Sequence, residues 1–210
     1  MTTTHVIVGL IILVALIFDY TNGFHDAANA IATSVATKAL RARTALLIAA
    51  LGNLIGAFLS EGVAKTVGKG IIEVKPSTAG LMSVMAALLG AIAWNLLTWW
   101  FGLPSSSSHA LIGGLVGAAL VSNETVLWNG VVQKVAIPMV LSPMIGFTAA
   151  FMLTILLQWL FRNSKRSKVG KGYKAGQIVA ASAMSVGHGL QDAQKTMGVM
   201  TLALIVGGMH

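Results

Sequence analysis

Long apolar runs, each closed by a short polar or charged stretch, divide the chain. The first extends from His5 to about Thr37, too long for one straight membrane span, and the polar stretch DYTNGFHD interrupts it. This predicts a helix broken at that point. Lys38, Arg41 and Arg43 follow. TALLIAALGNLIGAFLS (44–60) reads as a second span with Asn53 inside, and 61–78 as a polar loop. Residues 79–102 are apolar and end in Trp99, Trp100 and Phe101. GLPSSSSHALIGGLVGAALV (102–121) is a short apolar segment opened by a polar tract, so that 79–121 forms two spans or one re-entrant hairpin. After a loop at 123–134, residues 135–161 form a long span in which Pro138 and Pro143 predict kinks. A basic loop covers 162–174. The last segment, 175–209, is again interrupted, at GHGLQDAQKTMG.

The two interruptions match each other. Asn22-Gly23-Phe24-His25-Asp26-Ala27 aligns with His188-Gly189-Leu190-Gln191-Asp192-Ala193 at an offset of 166 residues. Only the glycine, the aspartate and the alanine are identical, but each copy breaks a long apolar segment and centres on an Asp. Basic residues concentrate in cytoplasmic loops of membrane proteins, which puts 38–43 and 162–174 inside. The first copy then runs inward and the second outward. Two antiparallel copies with broken helices are the architecture of a secondary transporter with a midplane site. The expected organisation is a first transmembrane repeat over 1–161, a basic cytoplasmic loop over 162–174, and the start of a second, inverted repeat over 175–210.

Composition narrows the class. Of 210 residues, 56% are apolar and only 10% charged, where soluble domains carry about a quarter. This predicts an all-α, polytopic membrane protein. The first apolar run has no basic segment before it and no small-residue cleavage site, so no removable leader is expected. The absence of cysteine excludes disulfides and thiolate metal sites. The net charge of +8 raises nucleic acid as a partner, but Arg162, Lys165, Arg166, Lys168, Lys171 and Lys174 crowd one loop, the pattern of a cytoplasmic membrane loop.

The six acidic residues are distributed unevenly. Glu61, Glu73 and Glu124 fall in expected loops. Asp19, Asp26 and Asp192 fall in or beside the interruptions, where an acid costs about 2.5–3.5 kcal/mol to insert and so points to function. A carboxylate in a helix break suits a small hard cation, and equally a proton carrier. Asn29, one turn on from Asp26, shares its helix face and can add an amide oxygen; Gln191 and Gln194 can do so in the second copy. The tract LPSSSSHA has the opposite preference. Pro104 starts a helix whose first turn carries Ser105, Ser106, Ser107 and Ser108. A helix N-terminus lined with hydroxyls favours an anion of phosphate or carboxylate type, although a single serine cap would explain one of them. His109 is as well read as a structural residue. Asn53 and Asn95 can line the site or be satisfied by a neighbouring helix. Lys195 can meet the anion or snorkel.

NGFHDAANAIAT, WNLLTWWFGLPSSSSHALIGG and GHGLQDAQKTMGVM together resemble the motifs of the inorganic phosphate transporter (PiT) family, in its bacterial low-affinity branch. The resemblance runs in order along nearly the whole chain. It implies a phosphate symporter of the bacterial cytoplasmic membrane, coupled to Na⁺ or H⁺ and built from inverted repeats. Asp26, Asn29 and Asp192 would serve cation coupling, with Asp26 and Asp192 as metal ligands if the ion is sodium. Ser105–Ser108 would bind phosphate. Asn22, His25, His188, Gln191 and Asn53 are second-rank candidates. The family has Asn-Asp where this chain has Gln191-Asp192, and continues to a second Ser/Thr hairpin, so the second repeat is expected to be incomplete here. No cofactor and no catalysis are expected. Phosphate travels free or as a neutral metal complex. The partners are phosphate, membrane lipid and, as one compatible assembly, a second copy of the chain. Two other classes stand as alternatives: a carrier or passive channel for another oxyanion such as sulfate, and an intramembrane serine hydrolase. The last lacks a Gly-x-Ser-x-Gly elbow.

Overall fold

A computed structural model of the chain describes residues 3–164 and 166–209, without the side chains of residues 25, 27, 28 and 166–168. The fold is helical. Its elements are α1 (Thr3–Ala36), α2 (Ala42–Leu59), α3 (Gly62–Lys69), β1 (Ile72–Glu73), α4 (Thr78–Trp100), α5 (Ser107–Val121), β2 (Thr125–Val126), α6 (Trp128–Val131), α7 (Ile137–Phe161) and α8 (Arg166–Val206). A π-helical turn, Val132–Ala136, joins α6 to α7. Among the described residues four helices are long and apolar enough to cross a membrane: Thr3–Ala36, Ala42–Leu59, Thr78–Trp100 and Trp128–Phe161. With the apolar composition, this makes a multi-pass membrane protein.

Several sequence expectations are corrected. Neither polar interruption breaks a helix: α1 passes through DYTNGFHD and α8 through GHGLQDAQKTMG without a gap. The reason is that the polar side chains find partners on neighbouring helices, while the main chain keeps its own hydrogen bonds. Glycine in a helix weakens it by only about 1 kcal/mol, which packing readily offsets. The basic segment is mostly not a loop, since α8 begins at Arg166. The 61–78 segment holds α3 and β1, and 123–134 holds β2, α6 and the start of the π turn. Pro138 lies just after the π-helical turn, inside the continuous run Trp128–Phe161, where its missing N–H removes a main-chain hydrogen bond, and Pro143 lies further inside α7.

Contacts fix the helix directions. Asp19 meets Thr196, Asn22 meets Asp192, and Ser34 meets Gln177, so α1 and α8 run antiparallel. The two copies of the motif are therefore opposed in direction. Helix α2 runs parallel to α8. A Cβ on Gly52 would lie 2.6 Å from the Ser185 Cβ, and one on Gly189 would lie 2.5 Å from the Asn53 Cα. Small residues let these backbones touch, the usual device of membrane helices.

Helices α4 and α5 form a hairpin. The turn begins at Gly102, whose φ of +63° closes a Schellman cap: Leu103 N–H donates to Thr98 O and Gly102 N–H to Trp99 O. The open ends of the hairpin are tied by the β1–β2 pair, Ile72 opposite Val126 and Glu73 opposite Thr125. Helix α5 has 15 residues, about 22 Å, short of a hydrocarbon core of about 30 Å. Its first turn meets Asn22 and Asp26, while α1 continues to Ala36 beyond that level. Helix α4 has 23 residues and is long enough to cross a membrane, so the hairpin pairs one membrane-length helix with a shorter one whose first turn ends at the polar residues of α1. The main core lies on the side of its open ends, with Val8, Ile11, Phe18, Leu81, Leu88, Leu111, Leu115 and Val206 buried together.

The α2–α8 contact sets the position of His188, next to Gly189. Gly189→Ala is expected to force the two backbones apart and lower unfolding free energy by roughly 1–3 kcal/mol, the range of overpacking. Thermal unfolding in detergent measures this; an unchanged midpoint would show that the contact is not tight.

Candidate functional site

A polar cluster forms where the middle of α1, the middle of α8 and the first turn of α5 meet. Asn22 is buried and central. Its amide nitrogen donates to Asp192 Oδ2 at 3.0 Å, and its amide oxygen accepts from Ser107 Oγ and, at 3.2 Å, from Lys195 Nζ. Ser107 Oγ also lies 3.3 Å from Asp26 Oδ2. Lys195 is only 2% exposed. Its ammonium lies 2.9 Å from Asp192 Oδ1, 2.8 Å from Ser107 Oγ and 3.1 Å from Ser108 Oγ. Burying an unpaired ammonium would cost several kcal/mol, so the oxygens around it are a condition of its being there.

His188 supports the carboxylate from one turn before it. Its Nδ1 is 3.1 Å from Asp192 Oδ2 and 3.2 Å from Asn53 Oδ1. The Asn53 amide nitrogen donates to Ala49 O, which leaves its oxygen facing the imidazole. Two acceptors beside Nδ1 favour the tautomer protonated there. One ligand atom each from Asp26, His188 and Asp192 falls within 4.8 Å of the others, the one grouping of three or more such residues among those described that could hold a metal ion. Oxygen-rich surroundings with two carboxylates suit a hard cation.

The serine tract divides by position. Ser106 is the N-cap of α5, its hydroxyl accepting from His109 N–H at 3.4 Å. Ser105 accepts from Trp94 Nε1 at 3.0 Å. Ser107 and Ser108 are the two that reach the cluster. They sit on the helix's first turn, where N–H groups lack intrahelical partners and the dipole is positive. The capping reading thus fits Ser106, and the ligand reading fits Ser107 and Ser108. A cleft of about 470 Å³ lies beside the cluster, lined by Phe24, Asp26, Asn29, Trp99, Pro104 and Ser105 among others. A larger apolar cleft, about 930 Å³ between α7 and the start of α8, is remote from this chemistry.

Other candidates fall as follows. Asn29 is exposed and donates to Asp26 Oδ1 at 3.4 Å. Gln191 is exposed, outside the cluster. Gln194, expected to offer its amide to a cation, is instead spent on the α2–α3 junction: its Oε1 accepts from Val63 N–H at 3.1 Å and its amide nitrogen donates to Ser60 O. The side chain of His25 lies outside the described residues. His109 is exposed, at the N-terminal end of α5. Asn95 is buried, with neither amide atom hydrogen-bonded in the described structure. Of the two placements left open for Lys195, the structure has it buried in the cluster and not at an interface. The partner of Asp19 was not anticipated: its carboxylate accepts from Thr196 Oγ1 at 2.8 Å, one turn from Asn22. The signal for Lys195 was present in its spacing, three residues after Asp192 on one helix face.

Four membrane-length helices, antiparallel motif copies and a cluster of charged and polar side chains where α1, α5 and α8 meet define a transporter-like membrane protein. Residues 22–208 match the model of the phosphate transporter family, and the chain belongs to that family. A probable low-affinity inorganic phosphate transporter of Streptomyces halstedii is 56% identical over 185 residues, 88% of this chain and 87% of that protein. One from Bacillus subtilis (strain 168) is 47% identical, covering 96% of this chain and 61% of that protein. The low-affinity inorganic phosphate transporter PitA of Escherichia coli (strain K12) is 36% identical, covering 94% and 46%. The chain thus spans about half to three-fifths of the length of the latter two. A solved structure described as the sodium-dependent phosphate transporter superposes with a TM-score of 0.70 at 22% identity, covering 97% of this chain and 73% of that one. That likeness is one of fold. Membership of a transporter family and four membrane-length apolar helices make the chain a multi-pass membrane protein with bacterial relatives, and the hydrolase reading falls away.

Proposed function

We propose that the protein carries inorganic phosphate into the cell together with a cation, Na⁺ or H⁺. The observation that carries this reading is the position of Ser107: its hydroxyl joins the positive end of α5 to the carboxylate of Asp26 and the ammonium of Lys195. Anion-favouring and cation-favouring groups thus meet at one point, which coupled transport of opposite charges requires. Ser107 and Ser108 are assigned to phosphate, with backbone N–H groups of the same turn. Asp26, Asn29 and Asp192 are assigned to the cationic half, and Asn22, His188 and Asn53 hold it in place. Whether phosphate enters free or as a neutral metal complex, both forms place oxyanion oxygens at the hydroxyls. The family match and the names of the relatives support phosphate over sulfate as substrate. The basic segment is assigned to the cytoplasm, and import is the direction of net transport when the coupling-cation gradient points into the cell.

Three measurements test this. Reconstituted protein should take up radiolabelled phosphate when a Na⁺ or proton gradient is imposed, and Asp26→Asn should abolish the coupled component while the protein still inserts. Normal gradient-dependent uptake by that variant would remove Asp26 from the cation site.

The hydroxyls should differ in weight. A hydrogen bond to a charged group is worth roughly 1.5–3 kcal/mol, so Ser107→Ala should weaken phosphate affinity about tenfold to a hundredfold. Ser106→Ala should chiefly reduce stability, by about 1 kcal/mol, as loss of a cap does. Equal effects of the two on affinity would contradict the division.

Orientation is tested with thiol chemistry, since the chain has no cysteine. Ser164→Cys, exposed beside the basic segment, should resist an impermeant thiol reagent applied to intact cells. Ready labelling from outside would reverse the assigned topology.

A further inference from the structure

Lys195 is the only buried basic side chain among the described residues. Four oxygens surround its ammonium at 2.8–3.2 Å: Ser107 Oγ, Asp192 Oδ1, Ser108 Oγ and Asn22 Oδ1. An ammonium has three N–H groups, so four oxygens exceed what its hydrogen bonds require. A carboxylate, an amide oxygen and two hydroxyls are also the donor set that replaces the water shell of a hard cation.

The internal repeat adds a second, independent observation. The offset that aligns Asp26 with Asp192 also aligns Asn29 with Lys195. Each copy thus has an Asp with a polar partner three residues on, and in each the partner reaches back to the carboxylate. In the first copy the partner is a neutral amide, 3.4 Å from Asp26 Oδ1. In the second it is an ammonium, 2.9 Å from Asp192 Oδ1. The first copy leaves its carboxylate uncompensated on its own helix and beside the 470 Å³ cleft. The second carries its own positive charge, buried.

We propose that the Lys195 ammonium is a tethered cation that fills the second copy's coupling position, so that Asp192 takes no mobile ion and only the Asp26 side exchanges one. This rests on the assignment of Asp26 and Asp192 to the cationic half of the site. It makes the two halves of the repeat chemically unequal: one position accepts a cation from solution, and the other supplies it permanently.

The test is sodium binding by the purified full chain, measured without phosphate by equilibrium dialysis with radiolabelled sodium. Lys195→Asn, which restores in the second copy the amide of the first, should bind one more sodium per chain than wild type, and Lys195→Gln should behave alike. Adding Asp192→Asn to Lys195→Asn should remove the added ion. Equal counts in wild type and in a folded Lys195→Asn or Lys195→Gln protein would overturn the proposal, including the case where these variants only lose phosphate affinity. So would an added sodium in Lys195→Asn that persists when Asp192→Asn is combined with it. Because phosphate is absent, the count is independent of the transport reading: failure of phosphate uptake alongside the expected counts would refute phosphate transport and leave the tethered cation standing.

Discussion

The constraint on which this architecture depends is the cost of keeping charge inside a membrane. Lys195 and Asp192 are drawn out of water together, and neither is tolerable alone: removing one partner of a buried pair typically costs about 3–5 kcal/mol. The pair also needs its remaining valences filled. Asn22 does this from α1, Ser107 and Ser108 from α5, and His188 from the preceding turn of α8. Three elements distant in sequence are thereby held at one point. The close approach of α2 to α8 through Gly52 and Gly189 and the reversal at Gly102 serve that meeting point, because the hydrogen-bond distances in the cluster allow little play.

The same constraint explains why the hairpin stops where it does. A turn that leaves polar main chain within a membrane protein is tolerated only when protein or water satisfies it. Here Ser106 caps α5, the Schellman contacts close α4, and the Trp94 indole binds Ser105. The first turn of α5 at Ser107 and Ser108 is directed at the charged cluster, where both hydroxyls meet the Lys195 ammonium. The hairpin tip is thus satisfied by caps on its outer residues and by the cluster on its inner ones.

Much of this was legible in the sequence, for a physical reason. Acids are so costly in apolar segments that Asp26 and Asp192 identify themselves, and four consecutive serines exceed what one cap needs. The antiparallel sense of α1 and α8 followed from where the basic residues lie. The helix breaks were misread because polar, glycine-containing stretches in apolar runs look like interruptions. Continuity of α1 and α8 depends on partners across the bundle, such as Asn22 to Asp192 and Thr196 to Asp19, which no local window contains. The separate roles of Ser106 and Ser107 depend on helix register to one residue, and the loss of Gln194 to the α2–α3 junction depends on tertiary packing. Lys195 was undecidable by composition, since a long aliphatic lysine reaches a membrane surface as readily as a buried acid.

The unequal burial of the two motif copies has a consequence for how a ligand can reach the site. Asp26 and Asn29 border the cleft, whereas Lys195 is closed off behind Asn22 and the α5 turn. An ion or oxyanion arriving through the cleft meets Asp26 and the hairpin tip before it meets Asp192. Net charge along that route also favours a pair over a single ion. Asp26 alone repels an approaching anion, while the α5 N-terminus and Lys195 attract it. A cation neutralising Asp26 removes the repulsion and leaves the attraction. Under the proposed assignment of the cation to Asp26, its binding would make binding of the anion more favourable, and by linkage the reverse would hold by the same factor. In this arrangement cooperation between opposite charges follows from the geometry of one carboxylate, one helix end and one buried ammonium.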